Sequence, residues 1–419
     1  MSQFYDQASL VMIPSGYKNG KVYSQKPLSA DGELTFTRAS TATRVNSSGL
    51  IEEVASGVPR LDYSGGASCP SLLLEPTATA LNQFSEQIDN AYWGLARTSA
   101  FGSGSIVNAV TSPDGYQNAE YIQQASGQTV GGGAFRSILL STGNYTLSVF
   151  AKKGEQRYLR LGGAFAASGV SLWCNFDLET GTIGTPDSGI TPKIEAFSNG
   201  WYRCSITASK VDLTGQAVFI YQANTLNGSD VTPLSGLYLW GVNITATSYL
   251  QSYVPTLGSA VSRLADAAYR TGVSSLIGQS EGTLFAEFNG YENTGDEGNR
   301  IIAVGDGTYS TRILIFDSNT NIRFFMASGG TQVDYTSSVI AEGNHKVAIG
   351  YANNNVAMYI DGVQVSTDTN ATIPACPNLY VGTREDGSAS PGVLAGSIKQ
   401  ALLFKTRLTN AQLAELTAL

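Results

Sequence analysis

The stretch LYLWGVNITATSYLQSYVPT, Leu237 to Thr256, carries no charged residue in twenty positions yet holds one Trp and three Tyr. Strand alternation over Leu237–Val242 puts Leu237, Leu239 and Gly241 on one face and Tyr238, Trp240 and Val242 on the other. A strand that is apolar on both faces lies between layers or under a covering segment. Tyr249, Tyr253 and Pro255 follow in a less regular run that can drape over it. Trp240 is therefore read as core, with its indole N–H satisfied internally. Trp173 and Trp201 lie in similarly patterned strands and are read the same way.

The remaining sequence points to the same fold class. At 419 residues the chain exceeds one compact core and suggests two or three domains. Charged residues make up 14%, with 46 Gly and 21 Tyr, the profile of many short strands joined by turns. The formal net charge of −8, with no basic stripe, is repelled by phosphate backbones, so nucleic acid is not expected as a ligand. No apolar run approaches the roughly 20 residues that cross a bilayer, so no membrane insertion is expected. The opening MSQFYDQASLVMIPSG lacks a basic segment followed by a long apolar one, so no secretory signal is expected. Cys69, Cys174, Cys204 and Cys376 are scattered without a CxxC pair and read as reduced, mostly buried thiols.

Three regions separate on pattern. Residues 1–80 hold short alternating pieces such as LTFTRASTATRV, Leu34 to Val45, broken by turn clusters. Strands so short and so separated do not make an independent core, so this extended β region is expected to pack on a neighbour, another chain or a larger assembly. Residues 81–266 contain NYTLSVFAKK, RYLRLGG, SLWCNFDLETGTIG, GWYRCSITAS, AVFIYQA and LYLWGVNI at sandwich-like spacing. Residues 267–280 read as a linker. Residues 281–419 hold a further series of strands, with hairpin turns at NNN, Asn353–Asn355, and at Asp361–Gly362. LTNAQLAEL closes the chain, where Thr409 or Asn410 can cap a short amphipathic helix. The fold class is all-β: an N-terminal extended β region followed by two antiparallel β-sandwiches.

MYIDGVQV, Met358–Val365, with GSIKQALLFKTRLTNAQLAEL, Gly396–Leu416, resembles the late strands and closing helix of the laminin-G/concanavalin-A-like lectin sandwich. TFTRASTATRVNSSGLIEEV, VPRLDYSGG, CPSLLLEPTATALNQFSEQIDNAYW and SPDGYQNA, together with the LYLWGVNI…SYVPT…VSRLAD ending, resemble modular bacteriophage virion proteins of the tail-fibre, tailspike and head-fibre kind. Asn243–Ile244–Thr245 departs from that type, where an acidic residue is common after Trp-Gly. The middle region of such proteins looks like a jelly-roll carbohydrate-binding module. The resemblance implies a virion structural protein, made in the host bacterial cytoplasm and placed on the particle surface. It also implies attachment to other virion proteins through residues 1–80, contact with host or environmental glycans, and a homo-oligomer, with a trimer favoured. It does not tell head from tail. A dedicated receptor-binding lectin at the tail tip and a glycan-degrading tailspike are the alternatives.

Loops on a rigid sandwich usually carry the binding residues. Tyr291 in NGYENTGDEGN, Tyr309 in GDGTYSTR and Arg384 in GTREDGSASPG are the polar-flanked glycan-binding candidates. Asp296, Glu297, Asp306 and Asp386 sit in Gly-rich loops, where a calcium site competes with the simpler reading as solvated turn acids. No cofactor and no catalytic residue are assigned. His345 is the single histidine and reads as a surface or turn residue; no G-x-S-x-G elbow is present. Glu287 and Glu292 do not reproduce the acidic strand motif of concanavalin-like glucanases.

Overall fold

The computed structural model describes residues 2–215, 217–290, 298–318, 320–386 and 392–419. The protein is all-β, built as antiparallel sandwiches. Strand Gly236–Thr245 runs through an eight-stranded sheet, between Gln117–Gln123 and Gly143–Lys152. A six-stranded sheet faces it in the order Gly94–Ala96, Gly133–Ser137, Ala217–Ala223, Tyr158–Gly163, Leu172–Asp177 and Thr182–Ile183. Leu147, Val149, Leu159, Leu161, Cys174, Phe176, Ile206, Val218 and Ile220 fill the space between the two sheets.

The alternation read for Leu237–Val242 holds only as far as Trp240. Gly241 has a φ of +63°, and Gly241 and Val242 together oppose the single Val149. This bulge resets the faces. Val242 and Ile244 join Leu237 and Leu239 in the core, and Tyr238 and Trp240 face outward. Trp240 is nonetheless buried, because the segment after the strand lies over it. Its ring centroid sits 4.9 Å from Tyr253 and 5.3 Å from Phe150. Its indole nitrogen finds no acceptor among the described residues, contrary to the expectation of an internal partner. Trp201 is buried in the same cluster and donates to the Thr111 carbonyl at 3.0 Å.

A second sandwich holds most of the remaining strands. One sheet runs Val363–Asp368, Val356–Ile360, Gly343–Ala352, Glu281–Gly290, Gly396–Phe404, Ser71–Leu74, Arg60–Asp62. The other runs Tyr17–Lys18, Lys21–Val22, Leu34–Thr37, Ala267–Arg270, Asn378–Val381, Asn299–Gly305, Thr311–Ser318, Asn321–Ser328, Thr331–Val339. The N-terminal strands thus find their neighbour in the same chain. Leu10–Met12 and Ser71–Leu74 both pair with Gly396–Phe404. The segment read as a linker contributes Ala267–Arg270 between Leu34–Thr37 and Asn378–Val381. Leu10, Leu34, Phe36, Leu72 and Leu74 lie in one core with Leu284, Ile302, Ile315 and Val381.

The closing helix Asn410–Thr417 begins where expected. Thr409 caps it, and Gln412 returns the bond to the Thr409 backbone, a reciprocal pair that satisfies two otherwise orphaned donors. Leu413 and Leu416 bury against the sheet. Asp361–Gly362 closes the hairpin between Val356–Ile360 and Val363–Asp368, as read. No helix among the described residues is long and apolar enough to cross a membrane.

A buried ion cluster joins the two sandwiches. Arg60 donates to Glu75 at 2.5 Å and to Asp266, and Arg38 pairs with Asp266 at 3.0 Å. Arg263 lies 3.4 Å from Glu75. Ser252, from the segment draped over the first sandwich, gives Glu75 both its backbone N–H and its hydroxyl, at 2.7 and 2.6 Å. Burial alone would raise the Glu75 pKa; Arg263, Arg60 and the Ser252 donors outweigh it and bring it down to about 2. The stability Glu75 contributes is therefore complete above its ordinary 4.5 and lost as pH falls towards about 2. Glu75→Gln strands guanidiniums in the interior. It is expected to cost about 3–5 kcal/mol, read by denaturant unfolding at pH 7, with no such loss once the wild type is compared at pH 2.

Glu120 has the opposite environment. It lies on Gln117–Gln123, 2% exposed, and its Oε2 meets no hydrogen-bond partner among the described residues. Burial, then the charge of Asp89 and more weakly that of Glu86, pushes it up to about 8 against the pull of the Ile88 backbone N–H. Between the ordinary 4.5 and about 8 the folded state holds a proton that the unfolded chain has released, so stability falls as pH rises through that window. Glu120→Gln is expected to raise the melting temperature at pH 8 and to flatten its decline from pH 5. An unchanged pH profile would count against this protonation.

Candidate functional site

The outer face of the six-stranded sheet carries an open row of rings. On Leu172–Asp177, Cys174 and Phe176 turn into the core, which places Trp173 and Asn175 outside. The expectation that Trp173 is a core residue is corrected here: it is half-buried, on the solvent side. Register aligns Phe135 with Phe219, Phe219 with Gly162, and Gly162 with Trp173, so one row crosses four strands. Gly162 makes the row possible. A Cβ there would lie 2.3 Å from the indole, so only glycine lets Trp173 lie down on the neighbouring strand. The indole then stacks on Phe219 at 5.2 Å and 24°.

Polar groups occupy the adjacent row. Tyr221 pairs with Arg160, and Arg160 with Asn175. The Arg160 guanidinium sits 4.4 Å from the Trp173 ring centroid, and its Nε has no hydrogen-bond partner among the described residues. Burial lowers its pKa, against the raising effect of Asp187. Tyr221 lies 5.6 Å from Trp173 and 5.4 Å from Phe219; burial raises its phenol pKa, partly offset by Arg97. Asn175 is committed to the scaffold: it donates to the Thr225 and Gly228 carbonyls at 3.1 and 2.7 Å and holds the flanking loop. Asp187 accepts the Trp173 backbone N–H at 2.8 Å. The result is a rigid strip of aromatic faces with donors alongside. Such faces carry negative π density that suits the C–H side of a pyranose ring, while Arg160 and Tyr221 suit its hydroxyls.

The sequence-predicted rim lies on the other sandwich. Tyr309 is half exposed in the turn between Asn299–Gly305 and Thr311–Ser318, with Arg384 and Arg312 at 5.5 and 4.8 Å from its ring centroid. Two of the three glycan candidates, Tyr309 and Arg384, are thus brought together; Tyr291 lies outside the described residues. Arg384 is 7% exposed and lies 3.7 Å from Asp386, so it supports the ring more than it reaches outward. Glu385, beneath, pairs with Arg312 at 3.1 Å and Arg300 at 3.4 Å. Asp306 accepts the Thr308 backbone N–H and hydroxyl at 2.8 and 2.6 Å, the geometry of a turn acid. These bonds outweigh its burial and lower its pKa. Asp296, Glu297 and Glu292 lie outside the described residues. Among the described residues no three His, Cys, Asp or Glu gather as a metal set.

His345 is buried in strand Gly343–Ala352, which corrects the surface reading. Its Nδ1 meets Asp361 at 2.6 Å and its Nε2 meets the Ala341 carbonyl at 2.7 Å, so both ring nitrogens are engaged in holding the hairpin. Glu287 accepts from Gln400 at 2.6 Å. The aromatic strip was missed because its rings sit on three separate strands. Its one local signal is the Gly162–Gly163 pair inside a strand, a mark of close approach.

No curated protein matches the chain. Among solved structures, partial likenesses are found to the CBM40 of the Ruminococcus gnavus IT-sialidase bound to α2,3-sialyllactose, at 16% identity and a TM-score of 0.31, covering 36% of this chain and 91% of that one. Domain 4 of AbnA, an extracellular GH43 arabinanase of Geobacillus stearothermophilus, in complex with arabinotriose, gives 15% identity and a TM-score of 0.30 over 40% of this chain and 82% of that one. Mouse laminin α1 domains LG4–5 give 11% and 0.24 over 67% and 86%. At these scores no property of those proteins carries over to this chain. The family model of the concanavalin A-like lectin/glucanases superfamily matches residues 266–414, which supply the later strands of the second sandwich but not those that residues 10–74 add to it.

Proposed function

We propose that this chain is a non-enzymatic, glycan-binding structural subunit of a bacteriophage particle, a head-fibre or tail-fibre component, with its jelly roll as the principal binding element. The observation that carries the glycan reading is the Phe135–Phe219–Trp173 row with Arg160 and Tyr221 beside it. It lies on a sheet, not on loops, so its geometry is set before any ligand arrives. Pre-organisation of this kind reduces the entropy lost on binding. The Tyr309–Arg384 rim is a secondary contact on the lectin-type sandwich.

The virion assignment is supported by the sequence blocks that resemble modular phage proteins. Their Arg38, Arg60, Glu75, Arg263 and Asp266 converge in the buried cluster, so the resemblance is carried by residues that act as one unit. On this reading the subunit is made in the bacterial cytoplasm, sits at the particle surface, contacts other virion proteins and works as a homotrimer. Weak glycan sites displayed together gain avidity without any new contact.

Glycan-array and calorimetric binding by the purified chain test the glycan part. Trp173→Ala is expected to weaken binding about tenfold, near the 1.4 kcal/mol that a stacked ring commonly contributes. Gly162→Ala, which displaces the ring while keeping it, should weaken binding comparably and shift the Trp fluorescence. Wild-type chain that retains no glycan, or Trp173→Ala that binds normally, would sink the assignment. Immunogold labelling of intact particles tests the location, and release of reducing ends from a bound polysaccharide would refute the non-enzymatic reading.

A further inference from the structure

A second cleft lies on the opposite side of the jelly roll, where the hairpin of Ala42–Val45 and Ile51–Val54 stands over the outer face of the eight-stranded sheet. Its volume is about 370 Å³, within the range of small-ligand sites, which favour domain junctions. Phe197 and Phe150 form its apolar side, edge to face at 5.1 Å. Glu195 and Arg203 lie directly opposite each other on neighbouring strands and line it together. Arg203 is held rigidly: its guanidinium lies 5.2 Å from the Phe150 ring centroid and donates to the Gln251 carbonyl at 2.7 Å and to the Ser148 hydroxyl at 3.3 Å. Arg44 enters from the hairpin, fixed by Glu52 at 2.6 Å and the Tyr17 hydroxyl at 3.1 Å.

From this lining we infer that the cleft is a binding site for a single terminal residue of a neutral glycan, distinct from the aromatic row. Charges of both signs line it, Arg44 and Arg203 with Asp62, Glu75 and Glu195, and Glu195 lies opposite Arg203. Such a wall has no single-sign field to hold an anion or a cation. It offers donors and acceptors side by side next to two phenyl groups, which matches a compact molecule bearing hydroxyls and one apolar face. The aromatic row is an open strip that suits the interior of a chain. The cleft is bounded by the hairpin and the 250–253 segment, and so suits an end.

The glycan reading of the aromatic row and this inference fail separately. Saturation-transfer NMR with the methyl glycosides of glucose, galactose, mannose, rhamnose and N-acetylglucosamine, on the full chain, is the test. At least one glycoside is expected to bind at millimolar concentration. Phe197→Ala and Glu195→Gln are each expected to weaken that binding at least tenfold. Glu195 is partly exposed, so Glu195→Gln keeps the test valid if Phe197→Ala does not fold. Binding by none of the panel, or binding that Glu195→Gln retains in full, would each overturn the assignment.

Discussion

Three guanidiniums and two carboxylates lie in a buried junction, and the arrangement of the two sandwiches depends on them. Desolvating five charges costs several kcal/mol for each ion, which close pairing and hydrogen bonds to the charged groups offset, although Arg60 Nε and Arg263 Nε meet no partner among the described residues. Here the offset comes from five places in the chain. Arg38 follows Leu34–Thr37, Arg60 opens Arg60–Asp62, Glu75 follows Ser71–Leu74, Ser252 comes from the draped segment, and Arg263 ends Val261–Arg263 with Asp266 just before Ala267–Arg270. Asp266 also accepts the Glu75 backbone N–H at 2.9 Å, and Arg263 reaches the Pro76 carbonyl at 2.8 Å. Apart from Arg60–Glu75, 15 residues apart, these bonds join positions far apart in the sequence. A misplaced strand at this junction would leave a charge unpaired, which is far costlier than a lost apolar contact.

The cluster also explains how strands so short become permanent. Leu10–Met12, Arg60–Asp62 and Ser71–Leu74 have three or four residues each and could not hold a sheet alone. Gly396–Phe404 takes up the edges of Leu10–Met12 and Ser71–Leu74, Ser71–Leu74 in turn holds Arg60–Asp62, their side chains enter an existing core, and Arg60 and Glu75 tie the last two strands into the junction. The chain leaves this sandwich after Leu74, builds the jelly roll, and returns through Val261–Arg263 to resume it at Ala267. The jelly roll is in this sense an insertion whose entry and exit are clamped at one place.

How much of this could be read from sequence follows from interaction range. The short-period signals were legible: the capped helix after Thr409, the Asp361–Gly362 hairpin, the two-sided apolar strand around Trp240 and its covering segment. The blocks containing Arg38, Arg60, Glu75, Arg263 and Asp266 stood out as a set, yet nothing local shows that these charges meet indoors. The pairing of Leu10 with Leu403 is likewise invisible, because alternation specifies a face and not a partner. Val242 was misplaced because a bulge at Gly241 cannot be told from an ordinary strand glycine. Trp173 was misplaced for a related reason: period-2 patterning separates two faces without saying which one is covered.

That last distinction bears on function. Of the two outer faces of the jelly roll, the eight-stranded one is covered apart from the cleft beneath the hairpin: Trp240 and Trp201 are buried with Phe150, Tyr253 and the hairpin residue Ile51. The six-stranded one leaves Trp173, Phe219 and Tyr221 partly in water. A sheet can present polar residues to solvent at no cost, so contiguous rings on a solvent face need a reason beyond folding. Here the rings are also supported. Gly162 removes a side chain from beneath the indole, Asp187 fixes its backbone, and Asn175 pins the loop beside it. A fortuitous apolar patch would have no use for such support, whereas a ligand that reads ring spacing and tilt depends on it.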